Sequence, residues 1–128
     1  MTRPRNRLTL GALTAIAIGV FTALAVAAGA YGDSRVSVER SGDPHGRAVV
    51  FVPGLATGGA VFEDAAAGLS GADVHIVTLG GFAGAPAPDS LDPFIPPAAA
   101  ALADYLEAEG LRDAVLVGHS LGGQVALI

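Results

Sequence analysis

The sequence has no cysteine, which excludes disulfide cross-links and thiolate metal sites and makes the fold indifferent to the redox state of its compartment. Lysine is absent too: all 7 basic residues are arginines, set against 12 acidic ones. Three of those arginines, Arg3, Arg5 and Arg7, fall in the first seven residues, and no carboxylate precedes Asp33. Without residues 1–30 the chain keeps four arginines and all 12 acids, so a basic face for nucleic acid is excluded. Histidine is scarce. His45, His75 and His119 share no metal-ligand spacing with another His, Asp or Glu, and no metal or cofactor is called for. At 128 residues and a formal net charge of −5, the chain holds one domain at most.

What is present begins with an Arg-rich lead and an uncharged apolar stretch from Leu8 to Ala30 that becomes dominated by small residues. Lead, apolar body and small-residue end read as an export signal, with Ala28-Gly29-Ala30 as the cleavage site and Ala25-Val26-Ala27 as a second candidate. The body is also long enough to form an N-terminal apolar helix that stays as a membrane tether. Either way the product is exported: periplasmic or extracellular if the segment is cleaved, membrane-anchored if it is kept. Residues 1–30 are therefore one unit, 31–46 a linker with a short strand at Ser37 to Arg40, and 47–128 the domain proper.

Within that domain, Ala48 to Val52 and Val74 to Leu79 are continuous apolar runs rich in β-branched residues, as expected of strands buried on both faces. A helix is expected over Ala60 to Leu69, where Val61, Phe62, Ala65, Ala66 and Leu69 recur at helical spacing. A second helix is expected over Ala98 to Glu109, closed by Gly110, and a third strand over Ala114 to Val117. Between the second strand and second helix lies a long loop, Gly80 to Pro97. Alternating strands and helices predict a three-layer α/β/α sandwich with a mostly parallel sheet.

The third strand runs into Gly118-His119-Ser120-Leu121-Gly122, and Gly123 to Ile128 reads as the first turns of a helix. In a chain with 18 glycines, G-x-S-x-G alone says little; its position between strand and helix carries the weight. A serine at the apex of so tight a turn needs positive φ and small residues two positions before and after, which Gly118 and Gly122 supply. The Leu121 amide would open the helix as a donor to a developing oxyanion.

In these residues the chain resembles the α/β-hydrolase superfamily, and closely its single-domain members with a Gly-His-Ser-x-Gly-Gly elbow. The likeness runs from about Val49 to Ile128 and includes the Pro53-Gly54-Leu55 loop. It implies Ser120 as nucleophile, with the Leu55 and Leu121 amides as oxyanion donors. The family commonly has His-Gly where this chain has Pro53-Gly54, which removes the contacts of that histidine but leaves the Leu55 amide free. The loop holding Phe82 leaves a strand on the elbow's side, so the resemblance implies that Phe82 lines an acyl pocket.

In the family an acid and then a histidine follow the serine in chain order. Neither occurs in the eight residues after Ser120, so both are expected beyond Ile128, and the chain reads as the N-terminal half of an incomplete hydrolase domain. The expected function is an exported serine hydrolase acting on a small-molecule carboxylic ester or related acyl bond. The alternative is a membrane-tethered or decayed hydrolase fragment without activity of its own.

Overall fold

The computed structural model describes the backbone of residues 29–31 and, in full, residues 35–128. Almost all of the apolar stretch from Leu8 to Ala30, with the helix expected there, lies outside the described residues. Its last two residues, Gly29 and Ala30, belong to strand β1 (Gly29–Tyr31). There follow β2 (Val36–Gly42), β3 (Arg47–Val52), α1 (Glu63–Ala67), β4 (Ala72–Leu79), α2 (Ile95–Ala108), β5 (Val115–Gly118) and α3 (Leu121–Ala126).

The sheet order is β1-β2-β4-β3-β5. β3 lies between β4 and β5 and is parallel to both, pairing Val50 with His75 on one side and Leu116 on the other. β2 is antiparallel to β4 over seven residues, from Val36 opposite Leu79 to Gly42 opposite Asp73, and β1 is antiparallel to β2. The sheet is therefore parallel over three strands and antiparallel at one edge. The polar lead-in before the first apolar run thus contributes a full strand, because Val36 and Val38 alternate with polar residues and cover one face only.

Helices lie on both faces. On one, α2 and α3 cover Val36, Val38, Val50, Val52, Val77 and Leu79 with Leu102, Tyr105, Val125 and the buried alanines Ala98, Ala99 and Ala101. On the other, Phe62 and Ala66 meet Phe51 and Val74, and the Phe51 and Phe62 rings lie 4.9 Å apart. The first helix differs from expectation: Gly59–Phe62 is a 3₁₀ turn and α1 is only five residues long. The tighter 3₁₀ winding leaves Val61 exposed while Phe62 is buried, so the 3.6-residue period does not hold there.

α2 starts three residues before the expected position. Pro96 and Pro97 fall in its first turn, where amides have no intrahelical acceptor and a missing N–H costs nothing. Its end is as expected: Gly110 is left-handed (φ 68°), its amide donates to the Glu107 carbonyl, and the Leu111 amide donates to that of Leu106. This pair of bonds is a Schellman cap.

Candidate active site

The chain turns sharply between β5 and α3, and Ser120 is the residue at the turn, with φ 52° and ψ −119°. A non-glycine residue held there costs about 1–3 kcal/mol, a strain that collects at functional positions. Ser120 is exposed and its side chain has no hydrogen-bond partner among the described residues. The turn is tied inward by the His119 amide, which donates to the Val52 carbonyl (3.0 Å). The Gly122 and Gly123 amides donate to the His119 and Ser120 carbonyls, at 2.9 and 3.0 Å. The Leu121 amide takes no backbone acceptor among the described residues.

Both elbow glycines are sterically required. A Cβ on Gly118 would stand 2.5 Å from the Gly123 Cα, and one on Gly122 would stand 2.1 Å from the Val52 carbonyl oxygen and 2.4 Å from that of Pro53. Gly54 completes the constriction: its added Cβ would lie 3.0 Å from His119 Nδ1 and 3.2 Å from Ser120 Cβ. The loop after β3 is thus pressed against the elbow, with Pro53 and Gly54 buried and Leu55 at the surface. Thr57 braces that loop by donating from both its amide and its hydroxyl to the Gly54 carbonyl, at 3.2 and 2.9 Å.

The loop after β4 joins from the other side. A Cβ on Gly58 would lie 3.0 Å from Ala83 Cβ. Phe82 itself is half-buried, packs on the core beneath α2 and meets Phe94 edge to face at 5.5 Å between ring centres. Among the described residues the non-glycine residues of positive φ are Ala56, Ala83 and Ser120, and they follow β3, β4 and β5 respectively. Since those strands are parallel, all three strained positions lie at one rim, the carboxyl end of the sheet, where open α/β sheets bind ligands.

A polar cluster that the sequence reading did not single out lies under α2. Arg40 on β2 donates to both carboxylate oxygens of Asp73 on β4, through Nε (2.7 Å) and Nη2 (2.6 Å), and Glu109 lies 3.8 Å from Arg40 Nη1. His75 is fully buried; its Nδ1 is hydrogen-bonded to the Tyr105 hydroxyl and its Nε2 lies 3.1 Å from Asp73 Oδ2. That last approach is close but does not meet hydrogen-bond geometry, so it counts as a polar contact only. Burial pushes the Asp73 carboxyl up, but the paired bonds from Arg40, with His75 close by, outweigh it and hold the group below the ordinary aspartate value. Arg40 is raised, chiefly by its bond to Asp73. The sequence did carry a signal: Arg40 has the parity of Val36 and Val38, and Asp73 and His75 have that of Val77 and Leu79, so all three point inward.

His75 is therefore a packed, hydrogen-bonded core residue, and His45 is an exposed turn residue whose amide donates to Asp43 Oδ1. Among the described residues no group of three or more His, Asp or Glu could hold a metal, and no helix is long and apolar enough to cross a membrane.

A family model described as alpha/beta hydrolase fold matches residues 47–128. No curated protein matches the chain. Among solved structures, epoxide hydrolase A from Mycobacterium thermoresistibile superposes with a TM-score of 0.68 at 22% identity, covering 77% of this chain and 32% of its own. The N-acyl homoserine lactonase AidH, in complex with N-hexanoyl homoserine, gives 0.68 at 24%, covering 79% and 38%. A protein from Burkholderia cenocepacia proposed to be an aryl esterase gives 0.59 at 27%, covering 70% and 35%. The chain spans about a third of the length of each of these proteins.

Proposed function

The chain belongs to the α/β-hydrolase fold family, and from that premise we propose that it is an exported serine hydrolase in which Ser120 attacks a carboxylic ester or related acyl bond. The observation that carries this reading is the backbone of Ser120: a non-glycine residue at φ 52° between a parallel strand and a helix, flanked by two glycines with no room for a Cβ. Such strain persists where a side chain must be presented at a fixed point.

In the proposed reaction the Ser120 Oγ adds to the carbonyl carbon, its proton passes to a general base, and negative charge builds on the carbonyl oxygen. The Leu55 and Leu121 amides donate to that oxygen, on a rim where Gly54 already lies against Ser120. Collapse of the tetrahedral adduct expels the alcohol and leaves an acyl-serine, which water hydrolyses. The general base and its acid are assigned to no residue of this sequence: His75 is engaged with Tyr105, His45 is in an exposed turn, and His119 stands beside Gly54. The Burkholderia neighbour, at 27% identity, favours an ester over an epoxide. Serine at the apex also disfavours dehalogenase chemistry, which the resembling family runs on aspartate.

Export rests on the Arg-rich lead and apolar body of residues 1–30, with Leu8 to Ala30 either removed or kept as a tether. The test is labelling of the purified full chain with a fluorophosphonate. One label is expected on Ser120, formed slowly because no residue of this sequence is assigned as its base, and none on the Ser120→Ala variant. A folded wild-type protein that stays unlabelled would instead support the noncatalytic, membrane-tethered reading.

A further inference from the structure

The apolar stretch that follows the Arg-rich lead does not end before the domain begins: Gly29 and Ala30, its last two residues, open strand β1. β1 pairs antiparallel with β2 and is the edge strand of the sheet on that side among the described residues, and α2 lies against it. Gly29 stands opposite Val38, Ala30 opposite Ser37 and Tyr31 opposite Val36, which is in turn opposite Leu79 of β4. β1 thus covers β2 over Val36, Ser37 and Val38, where β2 carries no charge, and stops where Glu39 and Arg40 begin. A bare strand edge is a template for pairing with other chains, and charged side chains are one means of guarding it. β1 closes the part of this edge that has no such guard.

We propose that the exported protein keeps β1: a signal peptidase cuts the leader after Ala27, at Ala25-Val26-Ala27, and not after Ala30. The proposal rests on the export part of the reading above and is independent of Ser120. Both sites put alanine one and three positions before the cut, so the local pattern admits either. What each leaves behind differs. A cut after Ala30 removes two of the three residues of β1 and bares the outer backbone of β2 beside Ser37 and Val38. It also sets the new terminal ammonium in the ladder opposite Val36, a residue with no solvent exposure. Hydrolysis of the Ala27–Ala28 bond instead adds one water, leaves a carboxylate on Ala27 of the leader and an ammonium on Ala28, and spares the whole strand. The earlier cut also keeps the apolar body nearer to the about 7–15 residues of an export signal.

The experiment expresses the full chain, with its own first residues and a tag after Ile128, in an exporting bacterial host, separates the cell fractions, and reads the start of the recovered protein by intact mass and terminal sequencing. The protein found outside the cytoplasm should begin at Ala28. Ala27→Leu puts a large residue where the peptidase needs a small one and should abolish that product, whereas Ala30→Leu should leave its start unchanged. A product beginning at Tyr31, loss of processing in Ala30→Leu, or an uncut chain held in the membrane overturns the proposal while leaving export and the nucleophile assignment standing. An uncut chain confined to the cytoplasm overturns the proposal and the export reading together, and fluorophosphonate labelling of Ser120 still decides the hydrolase reading separately.

Discussion

Gly122 lies so close to Val52 that a Cβ on the glycine would stand 2.1 Å from the valine's carbonyl oxygen, a contact between two backbones that neither can yield. The start of α3 and the end of β3 are thereby locked together, and the loop carrying Leu55 is held beside Ser120. Gly122→Ala should destabilise the domain by about 1–3 kcal/mol, the range for overpacking, and slow fluorophosphonate labelling. Gly123→Ala is the control. Its added Cβ meets nothing nearer than 3.7 Å, and the change should leave the urea midpoint unaltered or raised.

Ser120 itself should show a conflict between stability and reactivity. Replacing it by glycine removes a non-glycine residue of positive φ, a conformation that costs about 1–3 kcal/mol, while the greater freedom of an unfolded glycine offsets part of the gain. Ser120→Gly is expected to raise the unfolding midpoint slightly and abolish labelling. A lower midpoint would mean that the strain is not stored at this residue.

The Arg40–Asp73 pair makes stability depend on acid. The folded carboxyl is held below its ordinary value, so its contribution is fully present above the unfolded pKa and is lost as pH falls through the folded one. Chemical denaturation should show stability falling from about pH 4 downward. Asp73→Asn should flatten that profile and cost about 3 kcal/mol at neutral pH, the lower end for a broken buried pair because Arg40 still reaches solvent.

Tyr105→Phe removes the one full hydrogen bond of a histidine that has no solvent contact. Leaving His75 Nδ1 unsatisfied should cost about 1–3 kcal/mol. The loss is measured by urea unfolding and should shrink in a His75→Leu background, where no polar atom is left stranded.

Phe82→Ala separates two roles. Loss of the edge-to-face contact with Phe94 and of core packing should lower stability by about 1–2 kcal/mol. If Phe82 also lines an acyl pocket, the same replacement in a full-length relative will change the ratio of rates for short and long acyl esters. A stability loss with an unchanged ratio would make it a core residue only.

Much of this was legible in the sequence because the determining forces are local. Runs such as Ala48 to Val52 can be buried on both faces only as strands, and Gly110 ends α2 because the αL position after the helix disfavours any side chain. Misreadings arose where local geometry departs from the ideal period: the 3₁₀ turn at Gly59 to Phe62, and the prolines admitted to the first turn of α2.

By itself, then, the sequence determined the succession of strands and helices and the serine at the bend after β5, since periodicity and glycine placement act over a few residues. Tertiary structure alone decided which distant residues meet. Arg40 finds Asp73 across 33 residues and His75 finds Tyr105 across 30, because β2 pairs antiparallel to β4 in one register and α2 returns over it. Gly54 reaches Ser120 because β3 lies parallel beside β5. A shift of that register by one residue would turn each inward side chain to the opposite face, which no local pattern can prevent.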